Sequence, residues 1–286
     1  MNLTCRAVPE HDPSSRAAPV HAMLVFIAQN YAEVSREAAR MVAGAIRRRP
    51  DLRLGLASGS TQVGMYQELV RMHREEALDF SRVVTFNLDE YVGLPAEHPQ
   101  SFHSFMFRNF FDHVNIPKKQ IHIPEGTLRG NFDETCAHYE EAIRRAGGID
   151  LQILGIGKDG HIGFNEPASS LASRMRVKTL TRRTIQDNRA GFASGEEMPR
   201  AAITMGIGTI LEARRILLLG AGARKARAVA LAVEGPVTAS VTASALQLHR
   251  DATILVDRDA AANLRHKEYY ESALAMTRKL TPGRLW

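Results

Sequence analysis

Short apolar runs alternate along the chain with longer segments in which apolar residues recur every three or four positions. The apolar runs are Met23–Ala28, Arg53–Ala57, Val83–Phe86, Leu151–Leu154, Ala201–Thr204, Ile216–Leu219 and Ala252–Asp257. The segments with helical spacing cover residues 30–48, 63–75, 101–113, 132–146, 225–233 and 260–279. Continuous apolar strands separated by helices are typical of a parallel sheet covered on both faces. The pattern therefore predicts an α/β fold with a single doubly wound, mostly parallel, Rossmann-like sheet.

The composition argues against several classes of protein. Of the 286 residues, 44% are hydrophobic and 24% are charged, as in an ordinary globular domain. The apolar runs are far too short to span a bilayer. The formal net charge is +6, but the basic residues are dispersed among acidic ones. This favours a small anionic metabolite as the partner over nucleic acid or a membrane.

The first part of the chain differs in composition from the rest. Residues 1–22 contain three prolines and a serine pair but no apolar core of signal-peptide length. We expect them to form a flexible tail, and residues 23–286 to form one catalytic domain. Cys5 and Cys136 are too few for a zinc motif or a disulfide framework, which fits a cytoplasmic protein.

Two turns that follow apolar strands have the composition of an anion site. Ser58-Gly59-Ser60-Thr61 combines hydroxyls and a glycine with the start of a helix, where backbone N–H groups and the helix dipole attract phosphate. Gly220–Lys225 also opens a helix, and Arg224 or Lys225 could neutralise a phosphate. The alternatives are a plain helix cap for the first turn and solvated basic residues for the second.

Titratable side chains follow two other strands. Asp89 and Glu90 end the strand at 83–86, where a carboxylate half removed from water suits a general base; the alternative is a solvated turn or a helix cap. Asp159, His161 and Glu166 lie in the glycine-rich stretch 155–167 and could move protons near neutral pH. One histidine with two acids is a poor zinc set, so no metal is predicted. A structural glycine turn with a satisfied histidine is the alternative.

Several cations lie between residues 169 and 189. They are Arg174, Arg176, Lys178, Arg182, Arg183 and Arg189. With the neighbouring serines they could form a mobile segment that binds phosphate, but for most of them a solvated loop is the preferred interpretation.

Considered together, these motifs resemble those of the glucosamine-6-phosphate deaminase family. The resemblance is carried by DEYVGLP from Asp89, DGHIGFNEP from Asp159 and VEGPVTASVTASALQLH from Val233, and it extends from about Met23 to about Tyr270. It implies conversion of glucosamine 6-phosphate to fructose 6-phosphate and ammonia, in N-acetylglucosamine catabolism, without metal or organic cofactor. It also implies a homo-oligomer.

The resemblance assigns a role to each candidate residue. His161 takes part in opening the sugar ring, paired with Asp159 and Glu166, and Asp89 moves a proton between C2 and C1. The phosphate is held by Ser58, Gly59, Ser60, Thr61 and Lys225. Arg189 lies one position from the place of the family's phosphate-binding arginine and is the candidate for that role. Ser169, Arg176 and Lys178 match part of an allosteric site that binds N-acetylglucosamine 6-phosphate in some members.

Two other functions remain open. A 6-phosphogluconolactonase of the same superfamily would need the glycine turn and His161 but has no need of Glu166 or of the Asp89 turn. A sugar-phosphate-sensing regulator would normally carry a DNA-binding module, and no such pattern precedes Met23. No motif distinguishes glucosamine 6-phosphate from its galactosamine epimer.

Overall fold

A computed structural model describes residues 23–127 and 131–280, so the predicted tail at 1–22 lies outside the described residues. Seven parallel strands form the central sheet. They are β1 (Leu24–Ala28), β2 (Arg53–Leu56), β3 (Val84–Asn87), β5 (Ile121–His122), β6 (Leu151–Gly155), β9 (Arg215–Gly220) and β10 (Ala252–Asp257). Their order across the sheet is β1-β10-β9-β6-β2-β3-β5. The predicted doubly wound parallel sheet is confirmed.

Eight α-helices connect and cover the strands in the described part of the chain. They are α1 (Tyr31–Arg48), α2 (Ser60–Glu75), α3 (Phe102–Asn109), α4 (Phe132–Arg145), α5 (Arg182–Asn188), α6 (Ile207–Leu211), α7 (Ala226–Val233) and α8 (Lys267–Leu280). Within residues 23–127 and 131–280, no helix is long and apolar enough to cross a membrane. The helix predicted at 260–279 begins only at Lys267, after a turn in which Asp257 accepts the Ala260 N–H at 2.8 Å.

Side chains of the central sheet alternate between two hydrophobic cores. On β9, Leu217 and Leu219 belong to the core beneath α1 and α2. Ile216 and Leu218 of the same strand belong to the core beneath α6 and α7. Both faces of the sheet are thus buried, which explains why its strands are continuous apolar runs.

A second, antiparallel sheet was not predicted. It consists of β4 (Asp89–Tyr91), β7 (Arg176–Thr179) and β8 (Ala201–Thr204), in the order β4-β8-β7. The sequence predicted one sheet and a solvated loop across β7, and that expectation was wrong. The half-buried residues of β7 are Arg176 and Lys178, and Val177 and Thr179 are exposed, so no apolar run marks the strand.

Candidate active site

One cavity collects the polar turns at the carboxyl ends of β2, β3, β6 and β9. Its volume is about 630 Å³. Its wall includes Ser58, Gly59, Ser60, Thr61, Asp89, Gly157, Lys158, His161, Gly163, Arg224 and Lys225. The structure therefore brings together the four turns that the sequence singled out. This is where ligands bind in doubly wound sheets.

The Ser58–Thr61 turn lies where β2 leads into α2. Gly59 is the N-cap of α2, and its backbone is extended. The first turn of a helix has N–H groups without intrahelical acceptors, and the helix dipole favours an anion beside them. Asn87 Nδ2 donates to Ser58 Oγ at 3.4 Å, so the strand β3 helps to orient this hydroxyl. The turn has the parts of an anion cradle.

Lys225 lines the same cavity, at the end of a short 3₁₀ segment, Ala223–Lys225. Its Nζ donates to the carbonyl of Ile156 at 2.7 Å, which holds the ammonium against the glycine turn. Burial lowers the pKa of Lys225, and the positive charges of Lys158 and Arg224 lower it further. Several cations therefore face the same end of the cavity.

Asp89 begins β4 and is only 6% exposed. Burial raises the pKa of Asp89 well above its ordinary value, and the charge of Glu90 adds to the rise. The pairing of β4 with β8 sets Asp89 opposite Thr204. Gly163 has a φ of +55°, and a Cβ there would lie 2.9 Å from Thr204 Oγ1 and 3.7 Å from Asp89 Oδ2. The unpredicted small sheet thus seats Asp89 against the glycine turn.

His161 lies on the other side of this turn, with its Nδ1 facing two carboxylates. Nδ1 is 2.7 Å from Asp159 Oδ1 and 3.7 Å from Glu166 Oε2. The shorter contact is an ion-pair distance without the alignment of a regular hydrogen bond. A Cβ on Gly157 would come within 2.5 Å of the imidazole ring, so glycine there lets the ring lie over the backbone.

The two carboxylates are themselves fixed by protein donors. Asp159 Oδ1 accepts the backbone N–H of His161 at 3.2 Å. Glu166 is buried and accepts from the backbone N–H of Thr181 at 3.1 Å and from its hydroxyl at 3.3 Å. Burial alone would raise the pKa of Asp159, but the close contact with the His161 side chain, the charge of that side chain and the backbone N–H of His161 outweigh it and lower the pKa to about 2. Asp159 is thus strongly acidic, whereas Asp89, on β4, has a raised pKa.

Asp159, His161 and Glu166 also have the donor types of a metal site. One ligand atom from each lies within 4.8 Å of the others. Both carboxylates, however, already accept hydrogen bonds from His161 or Thr181. Those contacts suit carboxylates that orient an imidazole.

Six of the predicted residues are absent from the described cavity wall. Asp159 and Glu166 contact His161, which belongs to the wall; among the described residues, the other four have no such contact with His161. Arg189 is exposed and is absent from the described cavity wall, although its neighbours Asn188 and Phe192 are part of it. Arg176 and Lys178 lie on β7, where Arg176 Nη1 donates to Asn165 Oδ1 at 2.9 Å. Ser169 is buried, and its Oγ has no hydrogen-bond partner in the described parts of the chain.

The cavity wall also contains residues that the sequence did not single out. Arg108 and Gln100 reach it from α3 and from the segment before this helix, and Lys158 lies between Gly157 and Asp159. Lys158 could have been noticed because it stands within the glycine-rich motif. A second cavity of about 800 Å³ lies along α4, and its described wall contains none of the predicted site residues.

A doubly wound α/β protein with a phosphate cradle, a buried carboxyl and a carboxylate-flanked histidine in one cavity is a candidate enzyme for a phosphorylated metabolite. The chain belongs to the family of glucosamine-6-phosphate isomerases and 6-phosphogluconolactonases, whose model matches residues 27–255.

Two similar relatives in this family carry the name of the same enzyme. The chain is 52% identical over 240 residues to a glucosamine-6-phosphate deaminase of a Thermoanaerobacter species, covering 84% of this chain and 94% of the relative. It is 50% identical over 248 residues to a glucosamine-6-phosphate deaminase of Shewanella loihica, covering 87% and 92%.

Solved structures agree with the family assignment. A monomeric glucosamine-6-phosphate deaminase of the NagB superfamily superposes with a TM-score of 0.82 at 45% identity, covering 84% of this chain and all of that chain (100%). The 6-phosphogluconolactonase of Trypanosoma cruzi superposes with a TM-score of 0.69 at 19% identity, covering 87% and 99%. The second similarity shows the fold alone.

Proposed function

We propose that this protein converts glucosamine 6-phosphate and water to fructose 6-phosphate and ammonia. The observation that carries the proposal is that buried Asp89 and the carboxylate-flanked His161 face the same cavity as the Ser58–Thr61 anion cradle. Relatives at about half identity that carry the name of this activity support it. The activity belongs to amino-sugar catabolism.

The proposed reaction begins with binding and ring opening. The Ser58–Thr61 turn and Lys225 hold the phosphate, which places the sugar in the cavity between Asp89 and His161. His161, oriented by Asp159 and Glu166, passes a proton between the ring oxygen and the C1 hydroxyl. The hydroxyl loses its proton, the ring oxygen gains one, and the C1–O5 bond breaks to give the open aldehyde.

Asp89 acts on the open form. Its carboxylate removes the proton from C2 and delivers it to C1, while the C1 oxygen takes the proton that the C2 ammonium group loses, so that C1 becomes a hydroxymethyl group and C2 becomes an iminium carbon. Water adds to C2 and ammonia leaves, which gives the ketone. A buried carboxyl with a raised pKa suits this role because its carboxylate is a stronger base than an exposed one and can still release the proton to C1.

The alternative activity is hydrolysis of 6-phosphogluconolactone. Such a hydrolase needs a base and a phosphate site, but it moves no proton between carbon atoms and has no use for a buried carboxyl such as Asp89. Release of ammonia from glucosamine 6-phosphate, and opening of the lactone, can be measured with the same preparation. We expect ammonia release only; lactone opening without ammonia would overturn the proposal. Galactosamine 6-phosphate in the same assay determines the epimer.

Location, assembly and regulation belong to the same proposal. We expect a cytoplasmic enzyme that forms a homo-oligomer, although one solved relative is described as monomeric. Sedimentation at several concentrations measures the assembly.

Ser169, Arg176 and Lys178 are proposed to bind N-acetylglucosamine 6-phosphate. Addition of that compound should then raise the activity at low substrate concentration, and an unchanged rate contradicts the site. Arg189 stays a predicted phosphate ligand.

A further inference from the structure

Lys158, in the glycine turn, lies at the end of the cavity where Arg224 and Lys225 also lie. It lines the cavity together with Ser60, Arg224 and Lys225. Its Nζ forms an ion pair with Asp187 Oδ1, on the last turn of α5. Lys158 and Asp187 keep 26% and 33% of their side-chain surface exposed, so the pair borders the cavity rather than the core.

Positive charges outnumber negative charges at this end of the cavity. Lys158, Arg224 and Lys225 are positive and Asp187 is negative, and all four belong to the same wall. The charge of Lys158 lowers the pKa of Lys225, whereas that of Asp187 raises it, as expected for groups within electrostatic reach of one another. A phosphate entering here meets three cations, one of which is already paired with a carboxylate.

We propose that Lys158 is a phosphate-binding residue that Asp187 holds in the unliganded protein, and that the phosphate of the substrate displaces Asp187 from it. The identity of the substrate rests on the function proposed above; the phosphate site itself does not. Lys158 thereby supplies a cation inside the cavity, whereas Arg189 lies outside the described wall.

The exchange is physically reasonable because the Lys158–Asp187 pair is weak. Ion pairs that stay partly exposed contribute little, since water screens both charges. A phosphate carries more charge than a carboxylate and offers three oxygens to Lys158, Lys225 and the cradle at once. Asp187 competes with the phosphate for Lys158, so its removal is expected to tighten phosphate binding.

The test measures binding of inorganic phosphate by calorimetry, which needs no turnover. Asp187→Asn is expected to lower the Kd about threefold to fivefold, since an exposed pair contributes about that factor. Lys158→Met is expected to raise the Kd by at least as much, and Lys158→Arg to restore most of the affinity. Glu196→Gln is the matched control, because Glu196 pairs with His98 at 2.6 Å and is absent from the described cavity wall.

The double variant shows whether Asp187 weakens phosphate binding by occupying Lys158 or by repelling any phosphate in the cavity. On the Lys158→Met background, Asp187→Asn is expected to change the Kd by less than about twofold. An equal gain in both backgrounds overturns the exchange between Asp187 and phosphate, and so does wild-type protein that binds no phosphate. An unchanged Kd in Lys158→Met overturns the role of Lys158.

Turnover distinguishes this inference from the proposed function. With glucosamine 6-phosphate, Lys158→Met is expected to raise KM with little change in kcat, as for a group that binds the substrate and its transition state alike. If the wild type releases no ammonia but the phosphate affinities of the wild type, the two single variants and the double variant change as expected, the proposed function fails and the phosphate site stands.

Discussion

The carboxylate of Glu90 accepts the backbone N–H of Phe102 at 2.9 Å, which joins β4 to the first residue of α3. It also accepts the N–H groups of His103 and Tyr91, each at 2.8 Å. The N–H groups at the start of a helix have no intrahelical acceptor, and a carboxylate there satisfies them. Glu90 therefore positions the strand that carries Asp89 against the helix that lines the cavity.

Replacing Glu90 by Gln tests this positioning role. The amide keeps an oxygen acceptor but loses the charge and places an NH₂ group against backbone donors. We expect the free energy of unfolding to fall by about 1–2 kcal/mol, since hydrogen bonds to a charged group are stronger than neutral ones. Urea unfolding measures the change. Glu97→Gln, an exposed carboxylate on the same segment, is the control; equal midpoints for both variants would contradict the role.

Asp89→Asn tests the proposed base. Asparagine has nearly the same shape but cannot carry the proton between C2 and C1. We expect turnover of glucosamine 6-phosphate to fall by about 10³-fold or more, while fructose 6-phosphate binds with nearly unchanged Kd. Ammonia release and calorimetry measure the two quantities. Turnover at the wild-type rate removes Asp89 from the mechanism.

The raised pKa of Asp89 has opposite consequences for activity and stability. Activity requires the carboxylate, so kcat/KM should fall with acid at a pH well above the ordinary value of 3.8. A carboxyl whose pKa is raised on folding favours the folded state at low pH, and this contribution is lost as pH rises through the folded value. Asp89→Asn should therefore stabilise the protein at neutral pH and have little effect near pH of about 3. Urea midpoints measured across this pH range check the prediction. A variant no more stable than the wild type at neutral pH would refute the raised pKa of Asp89.

The sequence was sufficient to predict the parallel sheet and the turns at its carboxyl edge. β2, β6 and β9 are buried on both faces, so their apolar runs mark them directly. The turns after them carry Ser58, His161 and Lys225, and parallel strands bring such turns to one edge.

The sequence was not sufficient where a contact depends on antiparallel pairing or on side-chain reach. β4 and β7 both pair with β8 over three or four residues, with polar side chains among them, so no periodic pattern marks the small sheet that seats Asp89. Lys158 and Asp187 are 29 positions apart, and only the packing of α5 beside the cavity joins them.

Asp159→Asn distinguishes ring opening from proton transfer at C2. The substitution removes the negative charge of Asp159, the partner that lies 2.7 Å from His161 Nδ1, and ring opening should therefore slow. We expect kcat/KM to fall by about 10²-fold. With substrate deuterated at C2, the isotope effect on kcat/KM should shrink towards unity because proton transfer no longer limits the rate. Asp89→Glu should keep the full isotope effect. A full isotope effect in Asp159→Asn would instead place Asp159 in the proton transfer at C2.

Asp150 offers a test of stability apart from the site. Its carboxylate contacts Arg53 through Nε at 2.7 Å and Nη2 at 2.9 Å, and both residues are buried. Arg49 and Arg214 each reach the same carboxylate at 2.8 Å. Burial alone would raise the pKa of Asp150, but the hydrogen bonds from Arg53 outweigh it and the pKa is lowered.

Asp150→Asn should lower the free energy of unfolding by about 3 kcal/mol at neutral pH, because Arg53 stays buried without a charged partner. The difference should shrink as acid protonates Asp150 in the wild type, since a lowered carboxyl pKa stabilises only above that value. Asp51→Asn is the control, as Asp51 is exposed and pairs with Arg49 at 3.5 Å. The kcat of folded Asp150→Asn should be unchanged, because Arg53 begins β2 at the edge opposite the cavity. Equal urea midpoints for both variants would show that the buried pair contributes no more than an exposed one.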